Sequence, residues 1–494
     1  MENYTMATDK YELTMAQIYF NEKRFDEIAY FDGYFRTNPF GGSYTIMGGL
    51  YDMIEYLENF HFDEEDISYL ESLGQYSKDF LEYLKNMRFT GDLYAIPDGT
   101  AVFPNETCFM IRANIIEAQI VETALLACFN HGCLVTTKAK RITNEAQKIP
   151  VWEFSSRRDR GIGSSIDVGR LAYIGGCAGT SNVYGGKKFG IPTFGTMAHS
   201  FVQSYSTEYD AFLAFAKTYP ENCLFLVDTY DTLKSGIPNA IRVSREYLEP
   251  RGYRLKGIRI DSGDLVFMSK AAREMLDFYG YSDVGICLSN GLDEYSIENL
   301  LKNNTPVNSF GVGDNLGASK ERVNGVYKLA ALEYENVLLP KIKISGDSVK
   351  TTNPGVKKVY RFYDNDSDKI LGDVICRDNE KIDRSSYLLV SSDEPWRKIH
   401  LNDYSVRNLL MPIFIGGQLV YKKPSLTEAR DYCNQEFSTL SNCITSIHTL
   451  SEYPVYLSEE EKMLKEEMLL NNMIHCAEIA KENLEYQKKY VKRG

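Results

Sequence analysis

The sequence predicts an α/β protein in which an irregular α/β (TIM-like) barrel follows an N-terminal mixed α/β domain and precedes a C-terminal accessory region. Between residues 115 and 330, short apolar segments alternate with helical stretches, and small or polar residues follow each apolar segment. Strands that alternate with helices form a parallel sheet, and the active sites of barrels lie at the carboxyl ends of the strands. An open doubly wound sheet is the alternative, but no GxGxxG motif opens a first strand–helix unit.

Three regions follow from this pattern: an N-terminal mixed domain over residues 1–114, the barrel over 115–330, and a C-terminal region over 331–494. In the first region, Thr8 and Asp9 have the pattern of a helix N-cap. The elements predicted after this helix are a strand, a turn, two charged amphipathic helices and further strands, at residues 28–36, 39–42, 63–73, 77–87 and 90–112. The apolar segments of the barrel are GIPTFGTMAHS (190–200), CLFLVDTYDT (223–232), GIRIDSGD (257–264), VGICLSNGLDE (284–294) and SFGVGDNLG (309–317). The last region holds a hairpin at 355–375 and a long charged helix at 457–492, and we expect it to pack on the N-terminal domain.

The composition excludes several classes of partner. A net charge of −13 over 494 residues repels nucleic-acid phosphates. Ten cysteines occur without the close pairs of metal sites, which favours a reduced, cytoplasmic protein. The N-terminus is too polar for a signal peptide, and the longest apolar run, Leu409–Tyr421, is too short to span a bilayer and contains Pro412. We therefore expect a cytoplasmic protein that binds neither nucleic acid nor membranes.

The first candidate site is a cluster of three arginines, Arg157, Arg158 and Arg160. Guanidinium groups match carboxylate and phosphate oxygens with two parallel hydrogen bonds. Gly161 and Gly163 follow at once and permit a close approach of the backbone to a ligand. A solvated basic loop is the structural alternative.

The second candidate is the segment GTMAHS, with Thr196, His199 and Ser200 at the end of a predicted strand. A histidine at that place can act as a base, a ligand or a nucleophile toward phosphoryl groups. A structural histidine is the alternative.

The third candidate is RIDSGD at the end of another predicted strand. Asp261 and Asp264 can hold ribose hydroxyls or a divalent cation, whereas Asp264 can also cap the next helix. Arg259 and Asp261 face the same side of a strand because they are two residues apart. An inward-facing arginine needs an anionic partner, either from the protein or from a substrate.

Three weaker candidates complete the set. Gly311 and Gly313 end a predicted strand before a helix, where free backbone N–H groups bind phosphates, and Asp314 follows them. Tyr11, in the first helix, can stack on an aromatic ring or pack in the core. Arg36 precedes PFGG at a strand end and can form an ion pair or contact a phosphate.

Together these segments resemble the nicotinate phosphoribosyltransferase family. The matching segments span most of the first 330 residues in the family's order: TDKYELTMAQ (8–17), YFRTNPFGGSY (34–44), FSSRRDRG (154–161), GTSNVYGGKKFGIPTFGTMAHSFV (179–202), LVDTYDT (226–232), IRIDSGDL (258–265) and FGVGDNLGASKERVNGVYKLA (310–330).

The resemblance implies a type II phosphoribosyltransferase. Members condense nicotinate with phosphoribosyl pyrophosphate, give nicotinate mononucleotide and pyrophosphate, and couple turnover to ATP hydrolysis through a phosphohistidine. It also implies Mg²⁺, held either by the substrate phosphates alone or by the phosphates together with Asp261. The subunits are expected to form a homodimer with shared active sites.

The resemblance assigns roles to single residues. His199 resembles the phosphohistidine, and Tyr11 resembles the residue that stacks on nicotinate from the partner subunit. Thr196 and Arg259 resemble nicotinate contacts. The anion-binding pair corresponds to Arg157 and Arg158, and the 5′-phosphate loop to Gly311–Gly313.

Two positions depart from the family. Asp98 stands in PDGT where PEGT is expected, and Asp314 stands where many members carry Thr. Other functions remain open: a nicotinamide or quinolinate phosphoribosyltransferase, or a sensor of the same fold that binds nicotinate without turnover. A phosphate-binding aldolase would need a Schiff-base lysine at a strand end, and the barrel segments contain no candidate.

Overall fold

The computed structural model describes residues 3–345, 351–390 and 398–491. The chain forms two compact units. The first unit combines residues 1–133, 323–423 and 436–494, and the second combines residues 134–322 and 424–435. The region boundaries predicted at residues 114 and 330 stay a prediction.

The strands, in chain order, are β1 (Ile28–Phe35), β2 (Thr45–Ile46), β3 (Asp92–Ala95), β4 (Ala101–Val102), β5 (Phe109–Asn114), β6 (Val151–Glu153), β7 (Gly179–Thr180), β8 (Leu224–Leu226), β9 (Gly257–Ile260), β10 (Gly285–Ser289), β11 (Ser309–Val312), β12 (Gly325–Tyr334), β13 (Val337–Pro340), β14 (Lys357–Asp364), β15 (Ile370–Arg377), β16 (Ser386–Val390), β17 (Lys398–Asn402), β18 (Tyr404–Asn408), β19 (Met411–Ile415), β20 (Gln418–Leu419) and β21 (Val455–Leu457).

The α-helices are α1 (Lys10–Asn21), α2 (Leu50–Glu58), α3 (Glu64–Ser72), α4 (Lys78–Asn86), α5 (Ile115–Ile120), α6 (Glu122–Glu145), α7 (Ile162–Ile174), α8 (Val183–Phe189), α9 (His199–Gln203), α10 (Glu208–Thr218), α11 (Ile237–Val243), α12 (Leu265–Phe278), α13 (Glu294–Lys302), α14 (Asp314–Gly317), α15 (Leu426–Ser438), α16 (Asn442–Thr445) and α17 (Glu459–Val491). Within the described ranges, none of these helices has the length and apolar character needed to cross a bilayer.

The first unit is built on a seven-stranded sheet with the order β13-β12-β1-β5-β3-β19-β20. Strand β1 pairs antiparallel with both β5 and β12, and seven of its eight residues are buried. A separate four-stranded sheet contains the antiparallel hairpin β14–β15. The predicted strand at 28–36, the helices at 63–73 and 77–87 and the hairpin at 355–375 are confirmed, and the long helix predicted at 457–492 is observed at Glu459–Val491, with residue 492 outside the described residues.

The second unit is built on a six-stranded sheet, β7-β6-β11-β10-β9-β8, in which every pairing is parallel. Its strands carry buried apolar residues, with Val151, Phe225, Ile258, Ile286 and Phe310 among them. Strands buried on both faces are typical of parallel sheets covered by helices. The first strand β6 pairs with the last strand β11, but no pairing in the described ranges joins β7 to β8. The observed fold is therefore mixed α/β, with a parallel sheet.

One predicted strand is wrong. Residues 190–200 form no strand in the described chain, and only a single bridge joins Thr193 to Thr180. Gly190 adopts a left-handed φ of +67° and ends α8, and Pro192 follows two residues later. Proline lacks the N–H that a strand needs on one side, so this segment continues as a loop toward His199.

Candidate active site

Polar residues collect at one edge of the second unit's sheet. The strands β6, β8, β9, β10 and β11 are parallel, so their carboxyl ends meet at this edge. Glu153 and Ser289 end β6 and β10, Asp228 and Asp261 follow β8 and β9 closely, and Gly313 follows β11. Ligands of parallel α/β sheets bind at this place.

His199 begins the short helix α9 and is half-buried. Its Nδ1 lies 3.1 Å from the Thr229 hydroxyl. Its Nε2 lies 3.9 Å from a carboxylate oxygen of Asp228 and 3.9 Å from one of Asp261. One ring nitrogen is therefore held by a hydroxyl, whereas the other faces two carboxylates and solvent.

Asp228 also belongs to this cluster, although it is not among the candidates predicted from the sequence. Its side chain is 2% exposed. Its Oδ2 accepts hydrogen bonds from the Asp261 backbone N–H (2.8 Å) and the Ser262 hydroxyl (2.7 Å). Its Oδ1 faces His199 and has no hydrogen-bond partner within the described residues. A buried carboxylate oxygen without a partner is costly, so Oδ1 is suited to an imidazolium, a hydroxyl or a metal-bound water.

Arg259 points toward the same edge. Its Nη2 donates to Asp261 Oδ1 (3.1 Å) and its Nε donates to the Ser289 hydroxyl (2.9 Å). The Ser289 hydroxyl in turn donates to Asp261. The prediction that Arg259 and Asp261 share one side of the strand is confirmed, and the anionic partner is supplied by the protein.

Gly311 has a packing role in this site. A Cβ at Gly311 would lie 2.4 Å from the Phe154 ring, so only glycine lets that ring lie against β11. The Arg259 guanidinium carbon lies 5.2 Å from the centroid of the same ring. A cation over an aromatic face is stabilised electrostatically, so Gly311 indirectly seats Arg259.

Two carboxylates hold the arginine loop, the segment that carries Arg157, Arg158 and Arg160. The buried Glu153 accepts hydrogen bonds from the Ser155 hydroxyl (2.7 Å) and the Thr180 hydroxyl (2.5 Å). Asp159 turns inward, with its Oδ2 3.0 Å from the Ser155 hydroxyl. Burial raises the pKa of both Glu153 and Asp159 above the ordinary carboxyl value.

The three arginines of the loop have different surroundings. Arg157 is exposed and makes no ion pair with the described residues. Arg158 Nη1 donates to Asp314 Oδ2 at 3.0 Å. Arg160 Nη2 donates to the Ser319 backbone carbonyl at 2.9 Å. The structure therefore brings Arg158 and Asp314 together, which sequence spacing did not indicate.

The remaining candidates of the second unit lie nearby in sequence. Thr196 is half-buried, and its hydroxyl oxygen has no partner among the described residues, whereas Ser200 is exposed in α9. Asp264 caps α12, because its Oδ1 accepts from the backbone N–H groups of Val266 (3.0 Å) and Phe267 (3.1 Å). The capping alternative for Asp264 is confirmed.

Comparison with known proteins identifies the family. Three family models match: the nicotinate phosphoribosyltransferase (NAPRTase) N-terminal domain over residues 6–130, the nicotinate phosphoribosyltransferase (NAPRTase) family over 149–380, and the nicotinate phosphoribosyltransferase C-terminal domain over 356–465. The nicotinate phosphoribosyltransferase of Bacillus subtilis is 39% identical over 93% of this chain and 94% of its own. The chain belongs to the nicotinate phosphoribosyltransferase family.

Two further similarities extend this result. Nicotinate phosphoribosyltransferase pncB2 of Mycobacterium tuberculosis is 39% identical over 92% of this chain and 91% of its own. The crystal structure of human nicotinic acid phosphoribosyltransferase superposes with a TM-score of 0.84, at 27% identity, over 93% of this chain and 99% of that one. The family similarity therefore covers both units of the chain.

Two of the candidate site residues, Tyr11 and Arg36, lie in the first unit. Tyr11 is exposed on α1, next to the buried Glu12, which accepts a hydrogen bond from Thr123 (2.7 Å). Burial raises the pKa of Glu12 to about 7. Arg36 is half-buried, and its guanidinium carbon lies 5.8 Å from the centroid of the Tyr34 ring.

The carboxylates of the second unit fit a hard cation only in part. The described residues contain no group of three or more His, Cys, Asp or Glu side chains arranged for a metal ion. Mg²⁺ is usually held by one or two carboxylates together with substrate phosphates and waters. Asp261 and the unpartnered Oδ1 of Asp228 are oxygen donors of that kind.

Proposed function

We propose that this protein condenses nicotinate with 5-phosphoribosyl 1-pyrophosphate to give nicotinate mononucleotide and pyrophosphate, coupled to ATP hydrolysis, as the first step of NAD salvage from nicotinate. The observation that carries the proposal is the cluster of His199, Asp228, Asp261 and Arg259 at the carboxyl edge of a parallel sheet in a member of this family. Both compared relatives bear the name nicotinate phosphoribosyltransferase, which supports the choice of substrate.

The pyridine carboxylate is recognised by Arg259 and Thr196. Arg259 uses Nη2 and Nε for Asp261 and Ser289, and its guanidinium carries five N–H donors, so further donors are available for a carboxylate. The unpartnered Thr196 hydroxyl supplies a second contact. Tyr11, exposed on α1, stacks on the pyridine ring of the partner subunit's site in a homodimer with shared active sites.

The transfer step exchanges one bond for another at the ribose C1′ carbon. The C1′–O bond to pyrophosphate breaks, the pyrophosphate leaves with the electron pair, and the nicotinate ring nitrogen forms the new C1′–N bond. Positive charge develops on the ribose ring and is stabilised by Asp261, and Asp264 lies at the same edge. Arg157, Arg158 and Ser200 contact the phosphates, together with Arg36 and the Gly311–Gly313 loop. Asp261, together with the substrate phosphates, would hold Mg²⁺, and the ion would supply positive charge to the leaving pyrophosphate.

ATP acts through His199. In the tautomer whose Nδ1–H donates to the Thr229 hydroxyl, Nε2 carries the free lone pair and attacks the γ-phosphorus, with formation of an N–P bond and departure of ADP. Water later cleaves the N–P bond and releases inorganic phosphate.

The location of Nε2 suggests how the two reactions are coupled. A phosphoryl group on Nε2 adds about two negative charges beside Asp228 and Asp261. Repulsion then displaces the Asp261 carboxylate, which holds Arg259 and Ser289. Phosphorylation of His199 thereby changes the donors that meet the nicotinate carboxylate.

The proposed architecture of the catalytic region is an irregular barrel. The pairing of first strand β6 with last strand β11 supports an irregular α/β barrel, since a barrel requires that pair. The barrel over residues 115–330 carries the chemistry, and in the sequence it follows the N-terminal domain (1–114) and precedes the C-terminal region (331–494). The protein works on small molecules in the cytoplasm.

The test is product formation from nicotinate and phosphoribosyl pyrophosphate with Mg²⁺, with and without ATP, while pyrophosphate and ADP are measured together. We expect ATP to stimulate product formation in the wild type. His199→Asn should keep basal turnover but lose the stimulation, whereas the control His400→Asn, exposed on β17, should behave as the wild type. Unchanged stimulation in His199→Asn overturns the role of His199. If product forms only from nicotinamide or quinolinate, nicotinate is not the substrate. If nicotinate binds but none of the three compounds is converted, the result favours a sensor.

A further inference from the structure

One of the arginines proposed to bind phosphate already forms an ion pair with a carboxylate of the chain itself. Asp314 Oδ2 lies 3.0 Å from Arg158 Nη1. Building on the proposed function, we propose that Asp314 is an internal competitor for Arg158, which the 5′-phosphate of the ribosyl substrate must displace. Asp314 then sets how tightly phosphorylated substrate and product are held.

The backbone on both sides of this ion pair is fixed. Arg158 lies in the loop after β6 and Asp314 directly follows Gly313 at the end of β11, and these neighbouring strands pair at Glu153 and Val312. The Phe154 N–H donates to the Val312 carbonyl at 2.7 Å.

A second close contact fixes the same two segments. A Cβ at Gly317 would lie 2.1 Å from Asp159 Oδ1 and 2.2 Å from the Ser155 hydroxyl oxygen. Only glycine permits the α14 segment to lie this close to the arginine loop. The pair of Arg158 and Asp314 thus joins two segments that pack directly on each other.

The ion pair itself is weak enough to be exchanged. The side chains of Arg158 and Asp314 are 66% and 45% exposed, and one hydrogen bond joins them. Exposed pairs of this kind contribute little to stability and are screened by salt. A phosphate monoester offers nearly two charges and three acceptor oxygens, which match the guanidinium better than one carboxylate oxygen does.

Asp314 competes with phosphate for Arg158, and not for Arg157 or Arg160. Arg160 is used by the Ser319 carbonyl, and Arg157 is exposed without an ion pair to described residues. Arg158 is therefore the guanidinium whose charge is already balanced. Because Asp314 lies beside Gly313, the group that replaces it is the phosphate at the Gly311–Gly313 loop, and Arg157 is left for the pyrophosphate.

The test is calorimetric titration with ribose 5-phosphate and, separately, inorganic pyrophosphate, on the full-length wild type, Asp314→Asn and Asp314→Glu. Asp314→Asn removes the competing charge and its repulsion, so we expect the Kd for ribose 5-phosphate to fall about two- to tenfold. Asp314→Glu keeps the charge and should stay near the wild type. The Kd for pyrophosphate should change less than that for ribose 5-phosphate, and the KM for nicotinate should not change.

A double-mutant cycle separates competition from a structural effect. Arg158→Gln should weaken ribose 5-phosphate binding, and Asp314→Asn should bring no further gain in that background. Three results would each overturn the proposal. They are an equal gain in affinity with and without Arg158, no gain in affinity from Asp314→Asn in the wild type, and a larger gain for pyrophosphate than for ribose 5-phosphate. Ribose 5-phosphate binding needs no turnover, so these results are independent of whether nicotinate is the substrate.

Discussion

Each unit contains an arginine paired with an aspartate and placed over a phenylalanine ring. In the first unit, Arg361 makes two hydrogen bonds to Asp373 (2.8 and 2.6 Å), and both side chains are 0% exposed. In the second unit, Arg259 makes one hydrogen bond to Asp261 (3.1 Å), and the side chains are 16% and 32% exposed.

The ring geometry of the two pairs is almost the same. The guanidinium carbon lies 5.5 Å from the Phe103 centroid in the first case and 5.2 Å from the Phe154 centroid in the second. The difference lies in burial, because the Arg361 pair is closed to solvent and Arg361 also donates to the Ala101 carbonyl, whereas the Arg259 pair is partly exposed. A buried, bidentate pair is out of reach of a ligand, whereas a partly exposed pair leaves guanidinium N–H groups accessible to one.

The largest effect is expected from breaking the closed pair. Arg361→Gln leaves the carboxylate of Asp373 buried without its cation, so the free energy of unfolding should fall by about 3–5 kcal/mol. The measurement is chemical denaturation followed by circular dichroism. The matched variant Arg242→Gln breaks an exposed pair with Glu246 and should leave the free energy of unfolding nearly unchanged, because solvent screens such a pair. Equal losses in the two variants would contradict the comparison.

Breaking the partly exposed pair should affect catalysis instead. If Arg259 binds the nicotinate carboxylate as proposed, Arg259→Gln removes donors from it, and kcat/KM for nicotinate should fall about 10²- to 10³-fold. Its denaturation midpoint should change far less than that of Arg361→Gln. Steady-state kinetics and denaturation of the same preparation test both statements. Wild-type kinetics, or a stability loss as large as that of Arg361→Gln, would show that Arg259 is a structural residue.

A smaller, pH-dependent effect is expected from Glu106, which is buried beside Asp373. Burial, and next the charge of Asp373, raise the pKa of Glu106 well above the ordinary 4.5. The folded protein therefore keeps a proton that the unfolded chain releases. This stabilisation is complete below the ordinary pKa and is lost as the pH rises toward the raised one.

Glu106→Gln should remove this dependence. The free energy of unfolding of the wild type should decline between pH 5 and pH 8 by more than that of the variant, with a difference in slope of at most about 1.4 kcal/mol per pH unit. Urea titrations at several pH values within that range measure the slope. Parallel curves for the two proteins would mean that Glu106 is ionised in the folded state.

Local patterns were sufficient to predict much of the fold and part of the site. Apolar runs before polar residues correctly located the strands β8, β9, β10 and β11. The two-residue period of a strand correctly placed Arg259 and Asp261 together, and the position of Asp264 before an amphipathic run correctly indicated a helix cap.

Other features depend on information that local patterns do not carry. The segment before His199 has strand-like apolar residues, but Gly190 and Pro192 prevent a regular ladder. Asp228 follows an apolar strand as Asp261 does, so the same local pattern is present at both residues. The contact of Arg158 with Asp314 depends on β6 lying beside β11, which is a matter of strand order.

Strand order also has a consequence for how the chain folds during synthesis. Strand β1 pairs with β12, from Ile28 opposite Glu333 to Phe35 opposite Gly325, and most of the second unit, residues 134–322, lies between them in sequence. Loop closure over so long a segment is slow, and domains usually fold as they emerge from the ribosome. The N-terminal strands leave the ribosome first and β1 can pair with β5 at once, but the other edge of β1 stays unpaired until the inserted unit and β12 have been made. Segments that wait in this way are where chaperones bind and where premature aggregation starts.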